Sequence, residues 1–304
     1  MRPQITTFVR PLVEADLSEA DRIFRLAFGT FVGAPDPLSW RGDAELVRTR
    51  WRADPQSALG TYNEAGELLG SSFAARWGSF GVYGPLTVRP DLWGSGVAQE
   101  LLGASLELFE RWSTRQIALF TFPHSVKHVG LYQKFGFWPQ HLTIVMTKSI
   151  TPAKAVIEVP EVDVLRCAKL TGELFPGLDL TREMKAVREQ GIGETLAAYE
   201  HGELAGFAIC HIGKGSEAGS GAAYVKFAAA LRAESFQRLL SACEELAATR
   251  GATQLIAGVN SARRLAYSAM IARGYRGAMH GVLMQRPDAP GYNRPDVYVI
   301  DDCR

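Results

Sequence analysis

The 304-residue sequence predicts an α/β (α+β) protein made of two copies of one unit, each a mixed sheet with helices on both faces. Three observations carry this. Strand-like and helix-like apolar periods alternate along both halves. The length, with 47% hydrophobic and 21% charged residues, exceeds one average domain and suits two of roughly 150 residues. Residues 84–137, moved by 138 places, align without a gap onto 222–275.

The elements follow in order. Phe8 to Pro11 reads as a short strand, and Leu17 to Phe28 as a helix with Asp16 or Ser18 as possible cap. A variable segment with Trp40 and Trp51 follows. Ala58–Tyr62, Leu68–Arg76 and Val82–Val88 read as strands, with a turn at Asn63–Gly66. Val97, Leu101, Ala104, Leu108 and Trp112 recur at helical spacing. Ile117–Phe122 reads as a buried strand, Val126–Phe135 as a short helix stopped by Gly136, and Leu142–Thr147 as a strand.

Residues 148–160, with two prolines, read as the connection. Beyond it the plan repeats: helix near 182–190, strands at 195–199, 204–212 and 222–229, helix 234–250, strand 253–259, helix 262–273 and strand 275–285. Identities across the shift are few, but pattern is kept. Leu101 and Leu102 fall on Leu239 and Leu240, Leu108 on Leu246, Ile117 on Leu255, and Gly136-Phe137 on Gly274-Tyr275. The expected division is therefore 1–150 and 151–304. Asp296 to Asp302 reads as a final strand with acidic ends that adds to either sheet.

Bulk properties exclude several functions. A formal net charge of +1 gives no general surface for nucleic acid or anionic membrane. The N-terminal stretch lacks a signal peptide's apolar run, and no segment approaches the ~18 apolar residues of a membrane span, so a soluble, cytoplasmic protein is expected. Cys167, Cys210, Cys243 and Cys303 lie far apart, which argues against a zinc site or a disulfide framework.

The chemistry concentrates at 88–98. A strand ending at Val88, a loop with Gly94 and Gly96, and a helix from Val97 leave unpaired backbone N–H groups at a helix N-terminus, a site for phosphate or pyrophosphate. A tight turn alone would also use such glycines. No Walker A lysine follows, and Gln99 stands where a dinucleotide fingerprint needs its third glycine.

Val88-Arg89-Pro90-Asp91-Leu92-Trp93-Gly94-Ser95-Gly96-Val97-Ala98, with Leu131-Tyr132-Gln133-Lys134-Phe135-Gly136-Phe137 some forty residues later, resembles the GNAT acetyltransferase superfamily over residues 8 to 147. The resemblance implies a mostly antiparallel, twisted sheet in each copy and an N-acetyltransferase using acetyl-CoA as co-substrate, with direct attack by a small-molecule or peptide amine. It implies pantetheine along the main chain of Leu86 and Val88, and pyrophosphate on Trp93, Gly94, Ser95, Gly96, Val97 and Ala98. Trp93 departs from the family's arginine or glutamine, so side-chain help to the phosphates is missing and weaker affinity is expected. Ser125 and Lys127 complete the candidate CoA-binding set.

Tyr132 matches the family's acid. With an ordinary pKa near 10 it stays protonated at neutral pH and can protonate the leaving thiolate. Deprotonating a lysine-like amine at pH 7 costs roughly 4–5 kcal/mol, and His124 is the best-placed candidate base. A strand-end histidine bonded to backbone is its other reading. His124 and His128 are four apart, but no glutamate lies between them and Ser125 reads as an N-cap, so no metal site is expected.

The 138-place shift puts Arg232 on Gly94, Glu234 on Gly96 and Met270 on Tyr132. The second copy is thus expected to neither bind CoA in this way nor catalyse, and to serve the structure or wall the substrate cleft. A non-catalytic acyl-CoA-binding sensor or scaffold is the alternative function. The stretch Trp40, Arg41, Arg48, Arg50, Trp51 and Arg52 reads either as a solvated helix face or as a site favouring an acidic or aromatic acceptor. The oligomeric state is open.

Overall fold

The computed structural model describes residues 6–154 and 159–304. Residues 1–5 of the N-terminal stretch and 155–158 of the expected connection lie outside the described residues. The first copy runs β1 (Thr7–Pro11), α1 (Leu17–Phe31), α2 (Val47–Ala53), β2 (Ala58–Asn63), β3 (Leu68–Trp77), β4 (Phe80–Val88), α3 (Val97–Arg111), β5 (Gln116–Thr121), α4 (Val126–Lys134) and β6 (Trp138–Ser149). The second runs α5 (Val164–Leu174), α6 (Thr181–Gln190), β7 (Gly193–Glu200), β8 (Glu203–Gly213), β9 (Gly219–Ala230), α7 (Ala233–Thr249), β10 (Gln254–Asn260), α8 (Arg264–Ala272), β11 (Arg276–Arg286) and β12 (Tyr298–Ile300).

Apolar spacing accounts for the helices. Leu17, Ala20, Ile23, Phe24 and Ala27 form the buried stripe of α1, and Val97, Leu101, Leu102, Leu108 and Phe109 that of α3. Ser125 caps α4 by accepting from the His128 N–H at 3.4 Å. β5, α4 and β6 begin at 116, 126 and 138, and β10, α8 and β11 at 254, 264 and 276. The apolar coincidences under the 138-place shift therefore reflect elements in step.

Two helices were misread or passed over in the sequence. The connection gives way to α5, whose start Asp163 caps by accepting from the Leu165 and Arg166 N–H groups. Cys167, Leu170 and Leu174 had the spacing to reveal it. Residues 47–53, inside the variable segment, form α2, and the side chain of its Arg50 is only 12% exposed rather than solvated.

Among the described residues the strands form one twelve-stranded sheet in the order β1-β2-β3-β4-β5-β11-β6-β10-β9-β8-β7, with β12 on β9. Only the β4–β5 and β9–β10 pairs are parallel. The copies exchange their last strands. β11 pairs with β5 at Val282–Thr121 and with β6 at Gly281–Thr143, while β6 pairs with β10 at Val145–Gly258. Each copy's sheet is thus completed by a strand from the other, and hydrogen bonding runs unbroken between them.

Each parallel pair then parts. β4 and β5 pair over Phe80–Val82 and Gln116–Ala118, after which β4 continues alone on that edge to Val88. β9 and β10 pair as far as Val225 and Ala257. In the second copy the parting is filled: β12 pairs with Ala228–Ala230 of β9, and Asp302 packs on Gly258 of β10. The acidic-ended tail adds to the second copy's side of the sheet.

The join between the copies is closely fitted. A Cβ at Gly281 of β11 would run into the Phe120 ring of β5, which sits one strand away. Overpacking of this kind costs about 1–3 kcal/mol. Gly281→Ala is expected to lose that much stability in urea unfolding; a change within ~0.5 kcal/mol would contradict the tight seating of β11.

Candidate active site

The parting of β4 from β5 makes a cleft in the first copy. Its edge carries the Leu86 and Val88 main chains, which on their other side pair with β3 at Ser72 and Gly70. Next, a short helical turn at Pro90–Leu92 delivers the loop to α3. Gly94 and Gly96 adopt φ of 85° and 104°, conformations that L side chains rarely take, and no atom lies within 4 Å of where a Cβ would stand. The space above the main chain is open. Val97 and Ala98 begin α3; Gln99 and Glu100 donate to the Gly96 carbonyl at 2.8 and 3.3 Å, so the N–H groups left for a ligand at this helix start are those of Val97 and Ala98. The Ser95 Oγ is shielded and has no hydrogen-bond partner. A cradle of donors with one orphaned hydroxyl fits a pyrophosphate.

Trp93 plays a part that the sequence did not disclose. Its indole Nε1 donates to the Val88 carbonyl at 2.9 Å, so that carbonyl already has a donor.

Tyr132 lies near the C-terminal end of α4, buried between Tyr83 and Phe137 with ring centroids at 6.5 and 6.1 Å. Its main-chain oxygen accepts from Phe135 and Phe137 at 3.0 and 3.1 Å, which locks the Gly136 turn beneath it. Burial raises the Tyr132 pKa, so the phenol holds its proton more firmly than a solvated tyrosine.

His124 is exposed, its ring stacked on Phe31 from the end of α1 at 5.8 Å and 15°. His128 packs against the same ring at 4.8 Å and is more deeply placed. Burial lowers the His128 pKa, reinforced by His124 and Lys127, leaving the imidazole neutral at pH 7. One turn separates it from Tyr132 on α4, so the two share a helix face. The sequence reading passed over His128 once its metal pairing was set aside. Lys127 is exposed, and among the described residues no group of three or more His, Cys, Asp or Glu side chains is placed to hold a metal.

A second feature lies where the copies meet. Beside Val82 and Gly84 of β4, α2 and α6 cover a cavity of about 50 Å³ that reaches His211, Glu217 and Lys226 of the second copy. Arg50 grips Glu217 with Nε to Oε1 and Nη2 to Oε2, both at 2.9 Å, and its Nη1 donates to the Gly84 carbonyl at 2.5 Å. Lys226 Nζ donates to the same carboxylate at 2.9 and 3.1 Å. Burial would raise the Glu217 pKa, but Arg50 and Lys226 prevail and hold it well below the usual carboxylate range. Sequence gave little warning, because Arg50 and Glu217 are 167 residues apart.

The second copy's counterpart of the glycine loop differs throughout. Arg232 is extended and Glu234 stands in the first turn of α7, where a carboxylate opposes an anion. Met270 is fully buried in the second copy's core.

Fold and site together present a parted sheet with a glycine loop at its open edge. Residues 21–137 match the model of the acetyltransferase (GNAT) family, a likeness that supports acyl transfer in general. No curated protein matches the chain. Among solved structures, a protein of Pyrococcus horikoshii provisionally named an acetyltransferase is similar at 18% identity and a TM-score of 0.69, over 96% of this chain and 93% of that one. A GCN5-related N-acetyltransferase from Sphaerobacter thermophilus aligns at 17% identity and 0.56, over 92% and 95%. The glucosamine N-acetyltransferase region of a fungal multi-domain GH3 β-N-acetylglucosaminidase aligns at 14% and 0.63, over 93% of this chain and 38% of that protein. At these identities the likeness is one of fold, and it extends through both copies.

Burial pushes the His211 pKa down from 6.5 to about 4. Between those values the unfolded chain binds a proton that the folded chain refuses, so stability falls as pH drops through this window. The group accounts for roughly 3 kcal/mol between pH 6.5 and 4. His211→Gln is expected to flatten that part of a stability-against-pH curve; an unchanged slope would contradict a buried neutral imidazole.

Proposed function

We propose that the protein is an N-acetyltransferase that moves the acetyl group of acetyl-CoA to a primary amine within the first copy. The observation that carries this reading is the conjunction of the parted β4–β5 edge, the positive-φ glycine loop at the start of α3 and the buried Tyr132 on α4. Gly94 to Ala98 would receive the pyrophosphate and the Leu86 main chain the pantetheine arm, with Ser125 and Lys127 near the phosphates. Acetyl-CoA supplies a thioester open to attack by an amine.

Tyr132 is the proposed acid. Its burial keeps the phenol protonated until a thiolate forms beside it. The histidines around Phe31 are the proposed proton acceptors, with His124 reached from solvent and His128 neutral at working pH. The second copy closes the first copy's sheet through β11, and its own cleft is taken up by β12. We assign it a supporting role and the reaction to the first copy. A sensor that binds acyl-CoA without turnover is the second reading, favoured by the Trp93 indole on the Val88 carbonyl.

Steady-state kinetics of Tyr132→Phe across a panel of primary amines tests the assignment. The expected result is a kcat lower by about 10²-fold or more with the KM for acetyl-CoA nearly unchanged. Undiminished turnover would remove Tyr132 as the acid, and tight acetyl-CoA binding without turnover of any amine would favour the sensor.

A further inference from the structure

The cavity under α2 and α6 holds more cationic and donor groups than its own carboxylates satisfy. Five cations of its lining, Arg50, Arg76, Arg182, Lys226 and Arg304, face three carboxylates, Asp54, Glu183 and Glu217. Behind the lining, Arg41 gives its Nη2 to the Glu217 carbonyl at 2.8 Å, and its Nε is shielded and unpartnered. Arg304 pairs with Asp302 at 2.9 Å and lies over the Tyr224 ring at 5.2 Å, and its Nε too lacks a partner.

His211 is the most telling of these groups. It is 3% exposed, and its Nδ1 accepts from the Glu217 main-chain N–H at 3.4 Å. A neutral imidazole with Nδ1 engaged as acceptor carries its proton on Nε2. That Nε2 is shielded and has no partner, and His211 is part of the cavity lining. Leaving a buried donor unmade costs about 1–3 kcal/mol, so a fold that needed only the Arg50–Glu217–Lys226 pairing would gain from an apolar residue here.

Position gives the donors a role. Gly84 lies just past the point where β4 leaves β5, and Arg50 ties its carbonyl to the cavity wall. A molecule anchored at His211 and Lys226 therefore extends toward the cleft in which the thioester would lie. Gln190, on α6, donates its Nε2 to the Thr49 carbonyl at 3.0 Å and holds its shielded Oε1 unpartnered, an acceptor for an N–H of the same molecule. The volume of about 50 Å³ equals a few water molecules, room for a carboxylate and little more.

We propose that this cavity is the acceptor's anchor and that it takes the carboxylate of an amine that also carries one, the second copy supplying His211 and Lys226. The proposal rests on the acetyltransferase reading for the word acceptor, but the carboxylate site can be tested without it. It gives the second copy a part in selecting the substrate.

The test uses the full chain labelled at its six histidines, followed by nuclear magnetic resonance of the rings during titration with butanoate, butylamine or inorganic phosphate. His211→Gln assigns the signal. Butanoate should move the His211 ring resonances saturably and butylamine should not. In turnover with acetyl-CoA, 4-aminobutanoate should exceed butylamine by about tenfold in kcat/KM, the worth of a hydrogen bond to a charged group, and Lys226→Gln should shrink that ratio. An unmoved His211 with butanoate, in protein that binds acetyl-CoA, would overturn the proposal and leave the acetyltransferase reading standing. A stronger response to phosphate would overturn the choice of carboxylate. A butanoate response in protein that neither binds nor uses acetyl-CoA would support the anion site and remove the acetyltransferase reading.

Discussion

The exchange of β6 and β11 is the constraint on which the rest of the molecule depends. Each of these strands leaves its own copy after a short helix and pairs with the other copy's parallel strand, so neither copy closes its sheet alone. Hydrogen bonds run from β1 to β7 without a gap, and the core of the second copy includes Met146 from β6. The first copy's cleft is consequently held at a fixed distance from side chains more than a hundred residues away in sequence. Relative motion of the copies would break backbone ladders, which sets them apart from two domains joined through a polar contact.

That fixed juxtaposition explains how charged groups can be buried at the meeting of the copies. Taking Arg50, Glu217 and Lys226 out of water is costly, and such networks are weak evidence for stability in themselves. Here the carboxylate is shared by two cations, and the guanidinium is also bound to the Gly84 carbonyl. The network is positioned by α2 from one copy and β8 and β9 from the other, with α6 as the cover. β12 in turn fills the second parting and carries Asp302 to Tyr224, where the phenol donates at 2.8 Å. One parting of the sheet is filled by the chain itself and the other is open.

Much of this was legible in the sequence, for local reasons. Gly94 and Gly96 could be found because a positive φ demands glycine, and Ser125 because an N-cap has few alternatives. The repeat was visible in the buried faces of α3 and α7, whose leucines recur in step. Strand exchange was not legible, since β6 and β11 read alike whichever copy they join. Arg50 looked like part of a solvated face because its partner, Glu217, is brought to it by the fold alone. The helix α5 was within reach through its Asp163 cap and apolar spacing. His128 needed the position of Phe31, a contact that no pattern within α4 announces.

The account stands or falls on a single acyl-CoA site per chain, in the open parting of the first copy. Isothermal titration of acetyl-CoA into the full chain and into Gly96→Glu, which gives the first loop the glutamate of the second, addresses it most directly. The account predicts one site per chain in the parent protein and its loss in the variant, because a side chain at φ of 104° is strained and a carboxylate there opposes the pyrophosphate. Two sites per chain, or binding that the variant retains, would contradict it.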